Sequence, residues 1–158
     1  MTRRAGARPR RPAAREHAYQ RLLLRELLHA FYWLDDGLQA HMRRAAGFSL
    51  PRAQSMIMVC IGDGIHRQSD IALTLRVSKQ AVQQGVRELV AKGFVKIEPD
   101  PDSRRQKRVV FTTRGETMRD VAADGLRRIE AELARRIGRT RLDGLRRALE
   151  ADWGPSPQ

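Results

Sequence analysis

The sequence predicts a mainly α-helical chain with one small β-hairpin. Three observations predict it. Apolar residues recur at spacings of three and four through most of the 158 residues. Around residues 94–112 that period gives way to alternation, as a strand requires. Glycines and capping hydroxyls fall where the apolar stripes begin and stop.

Residues 1–15 form a basic tail: Arg3, Arg4, Arg8, Arg10, Arg11 and Arg15, with Pro, Ala and Gly between them and no acid. Such a segment buries no core and is expected to be disordered. Residues 16–46 read as a long helix. Leu24, Leu27, Leu28, Phe31, Leu34, Leu38 and Met42 form one stripe, and Leu22, Leu23, Tyr32 and Trp33 widen it. A helix apolar on more than one face needs more than one packing partner, and a second subunit would supply it. Gly47 ends this helix.

Ser49 is expected to cap a second helix, with Pro51 in its first turn and Ala53, Ile57, Cys60 and Ile61 buried. Gly62–Gly64 is a turn. A third helix, residues 68–76, turns Ile71, Ala72 and Leu75 inward, and Val77 is expected to plug the turn after it. Ser78 caps a fourth helix reaching Lys92, where Gly93 stops it. Val82, Val86 and Leu89 are its inward face. Gly85 breaks that face, either to let a neighbour approach closely or at the cost of a small void.

Residues 94–98 are strand-like, with Val95 and Ile97 alternating against Lys96 and Glu98. "PDPDSRRQ" is read as a turn and residues 107–112 as the returning strand. Thr113 and Glu116 suggest a capping box for a further long helix. Its stripe is Met118, Val121, Ala122, Gly125, Leu126, Ile129, Leu133 and Ile137. Thr140 is expected to cap a last helix bearing Leu142, Leu145 and Leu149, and residues 154–158 to fray.

The balance of charge is strongly basic, +13. That favours a polyanionic partner, most simply nucleic acid. A single cysteine, Cys60, excludes a disulfide framework within one chain and suits a reducing compartment. It falls on an apolar face and reads as a buried, inert thiol. No apolar run approaches the roughly 18 residues of a membrane span, so no membrane partner is expected. His17, His29, His41 and His66 lack close metal-ligand spacing, and neither metal nor cofactor is expected. There is no Gly-rich phosphate loop, nucleophile elbow or His-Glu-x-x-His, so catalysis is not expected.

Helix, short turn, helix, basic hairpin is the order of a winged helix-turn-helix. The outward face of the fourth helix carries Gln80, Gln84 and Arg87, flanked by Lys79 and Gln83. Taken alone, that face is equally a solvated surface. Followed by a basic hairpin, it suits the major groove, where Gln pairs with adenine and Arg with guanine. Ser78 and Lys79 at the helix start suit phosphate. Arg104, Arg105, Lys107 and Arg108 give the hairpin its positive charge.

The runs "LPRAQSMIMVCIGD", "SDIALTLRVSKQAVQQGVRELVAKGFV" and "DSRRQKRVVFTTRG" resemble the multiple-antibiotic-resistance regulator (MarR) family of bacterial transcription factors. The pattern Asp-x-Arg-Arg, alternating Val, then Thr-x-x-Gly carries the resemblance beyond the helix-turn-helix. It implies a single domain over residues 16–153. Residues 16–46 and 114–153 would be dimerisation helices and 49–113 the winged helix-turn-helix. It implies a homodimeric, cytoplasmic, nucleoid-associated regulator of double-stranded DNA. Recognition helix 78–92 and wing 94–112 would do the reading, with Arg104 or Arg105 at the wing tip. Ser103 stands where the family pattern has Asp, so the wing is expected to hold an extra residue. Arg76 occupies a turn position where glycine is common. The family also implies a small aromatic or anionic effector. His29, Tyr32, Trp33, Asp36 and Met56 are candidates to line its site, or are plain helical packing. A sequence-tolerant architectural nucleic-acid-binding protein without an effector remains the alternative. An RNA partner is disfavoured, because the hairpin lacks aromatics that would stack bases.

Overall fold

Helix α1 (Leu23–Ala46) opens the computed structural model, which describes residues 22–157. The described residues fall into two units that part after Leu34. The Arg-rich tail and the first turns expected for the long helix lie outside the described residues.

In the second unit, α2 (Arg52–Gly62), α3 (Gln68–Leu75) and α4 (Lys79–Ala91) precede an antiparallel hairpin of β1 (Val95–Asp100) and β2 (Ser103–Phe111). Two helices follow, α5 (Thr113–Ile137) and α6 (Arg139–Glu150). The expected fold class is thus the observed one. Among the described residues, no helix is long and apolar enough to cross a membrane.

One core unites α2, α3, α4 and the hairpin. Ile57, Cys60, Ile61, Ile71, Ala72, Val82, Val86, Leu89, Phe94, Val95 and Val109 are all buried in it. Phe48 stacks on Phe94 with ring centroids 5.4 Å apart. Cys60 sits among these side chains, and burial first, then the nearby Asp63 charge, push its thiol upward, as an inert thiol requires.

Several local expectations shift. Pro51, not Ser49, precedes α2, and no side chain caps that helix. Ala53 is exposed and its neighbour Gln54 is buried. The stripe Gln54, Ile57, Ile61 has the 3–4 spacing that Ala53, Ile57, Cys60 also has, and apolarity alone picks the wrong residue. Val77 is exposed, so its side chain does not plug the turn. Its backbone does the work instead, donating to Ala72 O at 3.1 Å. Arg76 supplies the left-handed residue that closes the turn, at φ 53°. Ile97 is exposed, because β1 rests only one end of its inner face on the core.

The start of α5 also moves by one residue. Thr112 is the cap, its Oγ1 accepting from Gly115 N–H at 3.1 Å. Glu116 does not close a box; it pairs with Arg119 at 2.8 Å. The Thr112 hydroxyl also donates to Gly93 O at 2.6 Å. Gly115 is required by contact: a Cβ there would stand 1.9 Å from the Phe94 carbonyl oxygen. Gly138, not Thr140, precedes α6, again without a side-chain cap. At the end of the chain, Trp153 Nε1 donates to Ala148 O at 2.8 Å and Gly154 N to Asp152 Oδ1 at 2.8 Å.

Candidate nucleic-acid interface

Ser78 caps α4 in an extended conformation, its Oγ accepting from Ala81 N–H at 3.2 Å. That fixes the rotation of the helix. Val82, Gly85, Val86 and Leu89 face the core. Lys79, Gln80, Gln83, Gln84 and Arg87 are exposed together, as is Ser78. The gap at Gly85 is filled by a side chain: a Cβ there would lie 2.5 Å from Ile57 Cδ1. Of the two readings of this glycine, close approach is the one the packing supports.

The exposed face is internally bonded. Arg87 donates to Gln84 Oε1 at 2.7 Å, and Gln84 Nε2 donates to Glu88 Oε1 at 2.7 Å. The other oxygen of Glu88 accepts from Gln54 Nε2, and Gln54 Oε1 accepts from Lys92 Nζ at 2.6 Å. Gln54 and Glu88 were not singled out by sequence. Spacing alone could have found Gln54, since it shares the Ile57 and Ile61 face.

The wing differs from expectation in length. "PDPDSRRQ" is not all turn, because β2 already begins at Ser103. Pro99 pairs with Lys107 and Asp100 with Ser103. Arg104, Arg105 and Gln106 therefore bulge from β2 without partners in the β1 register. Arg105 and Lys107 are exposed. Arg108 is not part of a free cationic tip: it reaches Glu98 at 2.7 Å, and Lys96 reaches the same carboxylate at 3.0 Å. Lys96 first, then Arg108, hold the Glu98 carboxyl below its usual range.

At its turn end the wing is strapped to Arg67, the residue that precedes α3. Buried Asp100 accepts from Arg67 Nε at 2.8 Å and from Asp102 N–H at 3.0 Å. Arg67 above all, then that backbone N–H, lowers the Asp100 carboxyl against the opposing effect of burial. The acid in this strap is Asp100, which the sequence did not single out.

A cavity of about 290 Å³ lies elsewhere in the same unit. Leu38, Met42, Met58, Met118 and Leu126 line it, with Gln39 and Arg119 among its polar groups. Gln39 Nε2 donates to Asp35 at 3.3 Å, while its Oε1 is buried without a hydrogen-bond partner. None of His29, Tyr32, Trp33, Asp36 and Met56 lines this cavity. Asp36 lines a shallower, polar recess with Arg43 and Arg52. Met56 is half-buried, and Tyr32 and Trp33 are each 39% exposed. Among the described residues, no three His, Cys, Asp or Glu side chains gather to hold a metal.

Residues 48–106 match the model of the MarR family. No curated protein matches the chain. The fold is similar to that of RV1404 from Mycobacterium tuberculosis, at 22% identity and a TM-score of 0.67, over 86% of this chain and 95% of that one. It is similar to wild-type MarR in its apo form from E. coli, at 20% identity and a TM-score of 0.67, over 82% and 95%. Transcriptional regulator Tm0710 from Thermotoga maritima gives 23% identity and a TM-score of 0.57, over 85% and 90%. By sequence the chain is similar to the MarR family over residues 48–106, its helix-turn-helix and much of its wing, and by fold it is a winged helix-turn-helix similar to these structures over most of its length.

Proposed function

We propose that the protein is a homodimeric, sequence-specific DNA-binding transcriptional regulator, acting as a ligand-responsive repressor in the bacterial cytoplasm. One observation carries the DNA-reading role. Lys79, Gln80, Gln83, Gln84 and Arg87 share the exposed face of a helix whose opposite face is buried. A basic hairpin presenting Arg105 and Lys107 follows it. Amides and a guanidinium on one helix face match base edges in the major groove. An arginine on a protruding wing matches a narrow minor groove. Arg104 belongs to the same bulge and is assigned the same role.

A homodimer is supported by the exposed leucines of α5 and α6: Leu126, Leu145 and Leu149. Two recognition helices related by a two-fold axis imply a pseudo-palindromic operator with half-sites about 10 bp apart. The effector reading rests on the apolar cavity, where the unpartnered Gln39 oxygen invites a hydrogen-bond donor. His29, Tyr32, Trp33, Asp36 and Met56 remain candidates for an effector site completed by a second subunit.

The test is affinity for a selected operator against random DNA. A regulator gives a ratio of about 10³ or more. A ratio below about ten would make the protein architectural, the reading its +13 charge favours on its own. Arg105→Ala should weaken operator binding more than Arg146→Ala, whose arginine pairs with Glu130 on α5 at 3.0 Å. Equal losses would remove the wing from the mechanism.

A further inference from the structure

Gln54 is 3% exposed and shares a helix face with Ile57 and Ile61, where an apolar residue would avoid burying an amide. Both of its polar atoms are bonded, and both bonds run to α4. We propose that Gln54 and Glu88 are positioning residues that fix which way round the Gln84 amide meets DNA, and so set the base preference at one operator position. The proposal rests on the DNA-reading role of α4 given above.

A glutamine amide offers a donor at one corner and an acceptor at the other. Turning it over reverses the pattern it presents to a base. A solvated glutamine turns freely, and so specifies weakly. Gln84 cannot, because of the chemistry on either side of it. Arginine only donates, so Arg87 requires the oxygen of Gln84. An ionised carboxylate only accepts, so Glu88 requires its nitrogen.

Glu88 is held in turn by Gln54, whose own amide is oriented by the same logic. Lys92 only donates and takes the Gln54 oxygen, leaving the nitrogen for Glu88. The chain Lys92, Gln54, Glu88, Gln84, Arg87 thus has donors at both ends, an acceptor at its centre, and one permitted orientation for each amide. Gln84 keeps one N–H and one lone pair for a base. Adenine accepts at N7 and donates at N6, and it matches that pair in one sense only.

Selection of bound DNA from a random pool tests this, using the full-length protein and Gln84→Ala, Glu88→Gln, Gln54→Met and each of the latter two combined with Gln84→Ala. Gln84→Ala identifies the base pair read by Gln84, where the wild-type preference should be about 5- to 100-fold. Glu88→Gln replaces the acceptor-only group by an amide that also donates, so it removes one of the two constraints on Gln84 and leaves the Arg87 bond. It should weaken the preference at that base pair and leave the other positions unchanged. Gln54→Met should do the same. Neither should add a loss when Gln84 is already alanine.

Preference retained in both single variants, or lost evenly across the operator, overturns the proposal alone. A wild-type protein that enriches no sequence overturns the DNA-reading role and the proposal with it. Should Gln54→Met fail to fold, Glu88→Gln carries the test, because it is isosteric and its side chain is only half-buried. Thermal melting of each variant separates lost packing from lost reading.

Discussion

The helix-turn-helix lobe and the pair α5–α6 solve burial in opposite ways. In the lobe, Phe94, Ile71, Leu89, Val82, Val86, Val95 and Val109 are each under 2% exposed. In α5 only Gly115 and Gly125 are buried, and in α6 only Leu142. The apolar stripe of α5 is otherwise half-buried or exposed, and Leu145 and Leu149 of α6 are open. Apolar area left in water forgoes about 25 cal/mol per Å². The lobe closes a core within one chain. The terminal helices leave apolar surface open among the described residues.

The largest expected effect breaks the junction between these regions. Gly115→Ala would drive a Cβ into the Phe94 carbonyl, which already accepts from Thr112 N–H at 3.0 Å. Backbone on both sides cannot yield without losing that bond, so the cost should exceed about 3 kcal/mol, the upper end for overpacking. Urea unfolding measures it, and a near-normal midpoint would discard this account of the junction.

Next, leucines from the two regions should behave differently. Leu89→Ala in the lobe should cost about 2–5 kcal/mol. Leu126→Ala with Leu145→Ala should cost a single chain little, about 0.5 kcal/mol each. That pair should nonetheless raise the monomer fraction in sedimentation. Folded Leu89→Ala protein should keep the wild-type assembly state. A double α5–α6 variant that sediments like wild type would remove the interface role.

A smaller effect sharpens the view of the lobe core. Gly85→Ala gains about 0.8–1.0 kcal/mol of helix propensity and meets Ile57 Cδ1. Overpacking costs typically 1–3 kcal/mol, so a net loss on the order of 1 kcal/mol is expected. Ile57→Val deletes the opposing atom. In that background Gly85→Ala should become neutral or stabilising, and a thermal-melt double-mutant cycle with no coupling would refute the contact.

The smallest is a dependence on pH. Asp100 titrates lower in the folded chain than the ordinary aspartate value of about 3.9. Its contribution is therefore complete above that value and is lost as pH falls through the folded value. Arg67→Met should flatten the acid limb of the stability curve, read as urea midpoints from pH 5 downward. Parallel acid limbs for the two proteins would mean that the strap contributes nothing.

Much of this was legible in the sequence because helices announce their faces. Val82, Val86 and Leu89 were readable as inward, and Ser78 as a cap, since a 3.6-residue period and a capping hydroxyl are local signals. The misplaced features depend on distant partners. Thr112 rather than Thr113 caps α5 because its hydroxyl is held by Gly93, nineteen residues away. Asp100 takes its role because Arg67, just before α3 and 33 residues away, reaches it. Val77 looked like a plug because apolarity was the only clue, whereas Arg76 closes the turn by backbone conformation. Gln54 escaped notice because its meaning lies in Glu88 and Lys92, on another helix.

Thr112 has a mechanical consequence. One hydroxyl fastens Gly93, just past the end of α4, to the first turn of α5, at Gly115, and its own backbone continues from β2. Three parts that would read or transmit therefore share a single rivet. Helix α5 is 25 residues long, about 37 Å of stiff rod leaving that point. A turn of that rod would therefore move α4 and the hairpin together.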